Sequence, residues 1–352
     1  MPKLRQAIFG EIADRRPELS EAITARIYGM QPEEWARYGR KGRELSVRDV
    51  GYHLMYLTEA LTAGDPGLFV AYLDWANVLF TNLRLPRDAL TVTLQHMRAV
   101  LREQLPPETA DAASQVIDAG LRQLPVASTT VATFIPDDAP MAELAREYLD
   151  TVLAGDRWRA SRLILDAVES GVDIRDVYLR VFQPAQMEVG RLWQMNRVSV
   201  AHEHFCTAAT QMIISQLYPR IFSSRRVGRS LVATCISGEL HEIGARMVSD
   251  FLELEGWDTY YLGANTPTEG IVQMVKERNA HVVAVSATMT YHISAVANLV
   301  DAVRSAVGEN VKVMVGGYPF RLSDSLWQSV GADGCAEDAQ GAVALANELV
   351  GG

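Results

Sequence analysis

The feature that most constrains this chain lies after Arg229, where short apolar, β-branched runs alternate with helical stretches. The runs are Ser230–Ile236, 259–262, 281–286 and 311–315, and the helical stretches are 242–255, Thr268–Arg278, 294–307 and 323–330. Strands that are apolar on both faces must be covered on both faces, and the intervening helices supply that cover. The expected fold here is therefore α/β, a doubly wound parallel sheet with right-handed crossovers. Such sheets bind ligands beyond the carboxyl ends of their strands. Three groups of residues stand at those ends: Glu239-Leu240-His241-Glu242-Ile243-Gly244, Ser286-Ala287-Thr288 and Gly316-Gly317.

Upstream of the sheet the pattern is helical. Residues 1–124 read as an N-terminal bundle, with apolar stripes at Val50, Leu54, Leu57 and Leu61 and at Tyr72, Trp75, Val78 and Leu79. Ala63-Gly64-Asp65-Pro66, Leu85-Pro86 and Leu105-Pro106-Pro107 mark its stops, since proline cannot continue a helix. Residues 125–140 have linker composition, and 141–226 return to helical periodicity as a four-helix bundle ahead of the sheet domain at 229–352.

Charge and cysteine usage exclude several classes. The net charge of −10 is spread along the chain, so there is no footprint for nucleic acid. The short basic clusters at Arg37-Arg40-Lys41-Arg43 and Arg225-Arg226-Arg229 read as solvated loops. Cys206, Cys235 and Cys335 are scattered, with no metal-ligand spacing, which fits a reducing compartment. No apolar signal core opens the chain and no run approaches the ~20 residues that span a bilayer, so the expectation is a cytoplasmic protein without a membrane partner. HExxH, P-loop and nucleophile-elbow motifs are missing.

A histidine between two acids at a helix start has an ordinary explanation, in which the glutamates complement the helix dipole. That explanation gives no reason for the hydroxyls of Ser286 and Thr288 or for adjacent glycines on the same sheet edge. A slot for a large, partly planar ligand does, because glycine admits a ring closely and short hydroxyls can meet polar groups around it. Glu239-x-His241-x-x-Gly244 with Ser286-x-Thr288 and Gly316-Gly317 resembles the cobalamin-binding signature of methionine synthase-like, Rossmann-like domains, whose first position is usually aspartate. The 262–267 turn also matches. The resemblance implies that His241 supplies the lower axial nitrogen to cobalt, that Glu239 holds its other nitrogen, and that the displaced dimethylbenzimidazole tail enters a slot lined by Ser286, Thr288, Gly316 and Gly317.

The helical region before the sheet is expected to cap the upper corrin face. Trp193, followed after nine residues by Glu203-His204, resembles cobalamin-dependent photoreceptors, in which these residues surround the upper ligand; glutamate at the position of Glu239 points the same way. Physically, an indole offers a flat wall and a carboxylate can accept from a ribose. Without the lower motif, a tryptophan on a helix reads as core. The chain departs from the best-known members at Gln194, where they carry a histidine that can ligate cobalt; His202, His204 or water are the substitutes. His202 and Cys206 share a helix face, too few ligands for a closed zinc site.

The resulting expectation is a light sensor, not an enzyme, that binds adenosylcobalamin or methylcobalamin. Photolysis changes its conformation or assembly, and the N-terminal bundle passes the change to a protein partner or a second copy. The alternatives are a corrinoid carrier that shuttles methyl groups between methyltransferases and a light-independent cobalamin-responsive regulator. A mutase is not expected, for nothing resembles its substrate barrel.

Overall fold

The computed structural model describes residues 10–30, 33, 35, 37–222 and 225–351. Residues 1–9, 31, 32, 34 and 36 of the expected N-terminal bundle, residues 223 and 224 of the expected cap and residue 352 of the sheet domain lie outside the described residues. The chain separates into two compact units, Met1–Thr129 with Met289–Ser294, and Thr130–Thr288 with Ala295–Gly352.

The first unit contains α1 (Arg16–Met30), α2 (Gly39–Ala63), α3 (Pro66–Asn82), α4 (Ala89–Gln104) and α5 (Pro107–Gln123). The Gly64-Asp65-Pro66 stop works atom by atom. Gly64 takes the left-handed conformation that caps α2, Asp65 accepts from Gly67 N at 2.8 Å to start α3, and Pro66 occupies the first turn where no N–H is needed. Val50, Leu54, Leu57 and Leu61 are buried as their spacing predicts. On α3 the buried stripe is Phe69, Tyr72, Leu73, Ala76 and Val78, so Trp75 and Leu79 sit at its margin rather than within it. Arg40, Lys41 and Arg43 belong to the first turns of α2, not to a loop.

The second unit begins with the helices α6 (Ala142–Leu153), α7 (Arg157–Glu169), α8 (Ile174–Val177), α9 (Gln183–Gln194) and α10 (Val200–Ile221), with a π-helical turn at Tyr178–Phe182 joining α8 to α9. The sheet follows as β1 (Ser230–Ile236), α11 (Ile243–Leu254), β2 (Asp258–Thr266), α12 (Thr268–Arg278), β3 (Val282–Ser286), α13 (Ile293–Val307), β4 (Lys312–Gly316), α14 (Tyr318–Leu322), α15 (Leu326–Ser329), β5 (Gly334–Ala336) and α16 (Ala339–Leu349). All pairings are parallel and the strand order is β2-β1-β3-β4-β5, the doubly wound arrangement that the alternating pattern predicts. Every residue of β1 is buried, as suits an interior strand. Of the expected helix at 323–330 only the short α15 forms, and α14 lies before it, ended by extended backbone at Ser323.

Helices and sheet of this unit share one core. Tyr148, Tyr178, Phe182, Ile213 and Leu217 from the helices pack with Met247, Phe251 and Trp257 beside the sheet. Tyr178 carries its hydroxyl into this core to donate to Asp250 Oδ2 at 2.8 Å, and burial pushes the Asp250 carboxyl up to about 6.

Candidate functional site

The strand order reverses direction between β1 and β3. The chain leaves β1 for β2 on one side of that point and β3 for β4 on the other, which opens a crevice between the two loops. Register brings the loops to one edge, because Cys235 pairs with Ser286, Ser286 with Gly316, and Gly316 with Ala336 in a single row across the carboxyl ends. The Glu239–Gly244 stretch follows β1, Ser286 and Thr288 end β3, and Gly316 and Gly317 end β4.

Glu239 is fully buried, and its carboxylate is divided between the two loops. Oε1 accepts from His241 Nδ1 at 2.6 Å and from the His241 backbone N–H at 3.0 Å, while Oε2 accepts from the Thr288 N–H at 2.7 Å. The His241 side chain remains 55% exposed. Its pKa is raised, chiefly through the hydrogen bond to Glu239 against the opposing effect of burial, with the charges of Glu239 and Glu203 adding to the rise. With Nδ1 committed, Nε2 is the ring nitrogen left to a ligand, and the carboxylate fixes the tautomer that leaves it so.

The remaining contacts tie this loop down. Asn265, left-handed at φ +52°, accepts from Gly238 N–H at 2.7 Å, and its own N–H donates to the Glu239 carbonyl at 2.9 Å. The expected 262–267 turn is thus the end of β2, folded against the histidine loop. Gly317 has φ +105°, and a Cβ there would collide with the carbonyl of Ala287; one on Gly316 would stand 3.1 Å from the Ala336 carbonyl. Their lack of side chains therefore lets neighbouring backbone come close, a reason that sequence reading had assigned to a ring. Gly244 differs, since the nearest atom to an added Cβ is Ser286 Oγ at 3.9 Å, so the protein's own packing does not demand glycine there.

On the helical side, Trp193 lies in the last turn of α9 and is half-buried rather than core, while its neighbour Gln194 is buried. Glu203 and His204 stand in the first turns of α10. His204 Nδ1 is 2.5 Å from Glu203 Oε2, and Thr207 donates to Glu203 Oε1 at 3.1 Å. The charge of Glu203 adds to the rise in the His241 pKa, the smallest of the causes that raise it. His202, one of the expected substitutes for the missing histidine, commits its Nδ1 to the start of its own helix. Its Nδ1 lies 2.7 Å from Ser199 Oγ and accepts from the Ser199 N–H in a capping box that starts α10. Cys206 is fully buried, with its thiol pushed up to about 11, and shares no metal geometry with His202. Among the described residues no group of three or more His, Cys, Asp or Glu side chains is arranged to hold a metal ion.

Glu242 and Gln211 escaped sequence reading. Glu242 had been credited only with complementing the helix dipole, yet it accepts from Gln211 Nε2 on α10 at 2.6 Å. A surface concavity of about 550 Å³ along α12 near Thr268 and Lys276 contains none of the motif residues. The crevice at the sheet edge is preferred as the site because the charged and exposed chemistry converges there. A half-exposed imidazole backed by a buried carboxylate, an exposed Leu240 beside it, and open room at Gly244 fit a corrinoid whose cobalt needs a single protein nitrogen. No helix is long and apolar enough to cross a membrane among the described residues.

Comparison with known proteins finds B12 binding domains on both parts of this unit. A B12 binding domain family model matches residues 229–346, a second B12 binding domain model matches 144–218, and a phycobilisome protein model matches 19–124. Dimethylamine corrinoid protein 2 of Methanosarcina acetivorans is 30% identical over 60% of this chain and 98% of its own length. Dimethylamine corrinoid protein 1 of Methanosarcina mazei is 31% identical over 49% of this chain and 85% of its own. The fold is that of the Methanosarcina barkeri monomethylamine corrinoid protein, with a TM-score of 0.53 at 23% identity over 60% of this chain and all of that one. From the buried carboxylate and half-exposed histidine at the switch point, and from relatives matched along nearly their whole length, the chain belongs to the family of B12-binding corrinoid proteins.

Proposed function

We propose that this protein holds a corrinoid through His241 and serves as a methyl carrier for a methyltransferase partner, without catalysing the transfer itself. When bound, the corrinoid supplies a cobalt that accepts and releases an alkyl group. The chain's residues do the rest. His241 would offer Nε2 to the cobalt, Glu239 keeps Nδ1 protonated and orients the ring, and the Thr288 N–H donates to the other oxygen of Glu239. Ser286, Gly316 and Gly317 line the sheet edge that would receive the tail of the cofactor, with Gly244 leaving room beside Ser286. The observation that carries this reading is the Glu239–His241 pair in a chain that aligns with a corrinoid protein along 98% of its length. The test is reconstitution with methylcobalamin followed by methyl transfer to a thiol, with a corrinoid-dependent methyltransferase added or omitted. Transfer that depends on the added enzyme supports the carrier; no transfer with any methyltransferase tried refutes it.

A second reading has its own support. Trp193, Glu203 and His204 lie on α9 and α10, the charge of Glu203 adds to the rise in the His241 pKa, and the first unit, matched by the phycobilisome protein model, lies outside both B12 binding domain matches. A sensor of adenosylcobalamin or methylcobalamin, responding to light or to the vitamin alone, would use those parts. It predicts that green light, or cofactor addition in the dark, changes the size-exclusion profile, and an unchanged profile in both conditions removes it. The named relatives put the carrier first and the sensor second, reversing the order reached from sequence motifs.

A further inference from the structure

Immediately after His241, the Glu242 carboxylate is shared among three donors. Oε1 accepts from Gln211 Nε2 on α10 at 2.6 Å, and Oε2 accepts from the Tyr261 hydroxyl and the Ala264 N–H of β2, each at 2.9 Å. One turn further along α11, Arg246 repeats the connection, donating to Ser215 Oγ at 2.8 Å and to the Gln211 carbonyl at 3.3 Å. Gln211 and Ser215 are four residues apart, as are Glu242 and Arg246, so one turn of α10 is matched to one turn of α11. Gly263 is part of the same construction. It sits at φ +81°, and a Cβ there would come within 3.1 Å of Glu242 Oε2, so glycine clears the space that this carboxylate occupies.

Glu203, Thr207 and Gln211 follow one another at four-residue intervals on a single face of α10, and Thr207 bonds to Glu203. At 1.5 Å per residue, Glu203 stands about 12 Å along α10 from Gln211. The Glu242–Gln211 bond therefore joins the histidine loop to the same face of α10 that carries Glu203.

We propose that Glu242 is a positioning residue that fixes two things together: the pose of the His241 loop against β2, and the height of Glu203 on α10 relative to that loop. This rests on the reading of His241 and Glu203 as the lower and upper sides of the corrinoid site. Length, more than charge, is what the role requires. An aspartate at 242 keeps the negative charge at the start of α11 but is one methylene short of spanning from Gln211 to β2. A glutamine keeps the span; its oxygen can accept from Tyr261 and Ala264 while its amide meets the turned amide of Gln211.

The experiment compares wild type, Glu242→Asp, Glu242→Gln and His241→Ala. Amide hydrogen exchange is read on the cofactor-free protein over 203–215 and 239–244, and cobalamin titrations are followed in the visible spectrum. Glu242→Asp is expected to exchange faster in both segments and to bind roughly tenfold more weakly, as for the loss of a charge-assisted hydrogen bond. Its spectrum should move toward that of His241→Ala. Glu242→Gln is expected to stay within about threefold of wild type on the same scale. A Glu242→Asp protein that matches wild type while Glu242→Gln weakens would show that helix-start charge is what matters, and would overturn the proposal. Faster exchange in only one segment would overturn the shared role. Since exchange is measured without cofactor, a wild-type spectrum indifferent to His241→Ala would refute the corrinoid-site reading while leaving the test of Glu242 in place.

Discussion

His53 in the first unit and His241 in the second each place Nδ1 2.6 Å from an oxygen, yet the two rings are in opposite electrostatic states. His53 is 2% exposed and faces the Tyr72 hydroxyl, and burial pushes its pKa down to about 4. His241 is half-exposed and faces a buried carboxylate, which pushes its pKa up. A neutral partner in a dry interior makes histidine a piece of core. An anionic partner beneath an open ring makes it a base with one nitrogen to give. Hydrogen-bond length does not distinguish the two; the partner's charge and access to solvent do.

The sharpest way to break this contrast is His241→Ala. Loss of a metal ligand exceeds the effect of removing its support, so cobalamin affinity should fall by about 100-fold or more and the histidine-ligated spectrum should disappear. Isothermal titration and visible spectra would check both, and unchanged affinity would remove His241 from the site. Glu239→Gln should cost roughly 10- to 100-fold in affinity with the ring still present, as for the loss of a carboxylate that orients a metal-bound histidine.

His53→Ala should leave cobalamin affinity unchanged and destabilise the first unit by about 2–3 kcal/mol at pH 7, through a cavity and an unpaired Tyr72 hydroxyl. Because the folded pKa of His53 is depressed, its stabilising contribution is full above about 6.5 and is lost as pH falls toward about 4. Urea titrations across that range should show the acid loss in wild type and its reduction in His53→Phe.

The smallest expected effect is at Asp250, where the sign reverses. Its folded pKa is raised, by burial first, from 3.8 to about 6, so its contribution is full below 3.8 and is lost as pH rises through 6. Asp250→Asn, which can still accept from Tyr178, should stabilise the protein by about 1 kcal/mol at pH 7 and lose that advantage in acid. An equal gain at pH 4 and pH 7 would remove the ionisation argument.

Much of the fold was legible because its signals are local. The β1 segment is a continuous apolar run, and Thr268–Arg278 carries a helical period over its whole length. β5 was missed because Gly334–Ala336 is too short to show any period, and α16 went unread with it. Charged residues at 40–43 looked like a loop because an exposed helical start has no apolar stripe to mark it.

By itself the sequence determined that a parallel sheet ends in a loop carrying Glu239 and His241, since strand, turn and helix start are set by neighbours within a few residues. It also placed Ser286, Thr288, Gly316 and Gly317 on the same edge, because parallel strands all point one way. Only the tertiary structure decided what those residues touch. Glu239 is held by the Thr288 N–H, 49 residues on, Glu242 by Gln211, 31 residues back, and by Ala264, 22 residues on, while His202 is turned to its own helix cap. Such partners are chosen by packing, which brings together atoms whose separation along the chain carries no periodic signal, and that is where His241 and His53 parted.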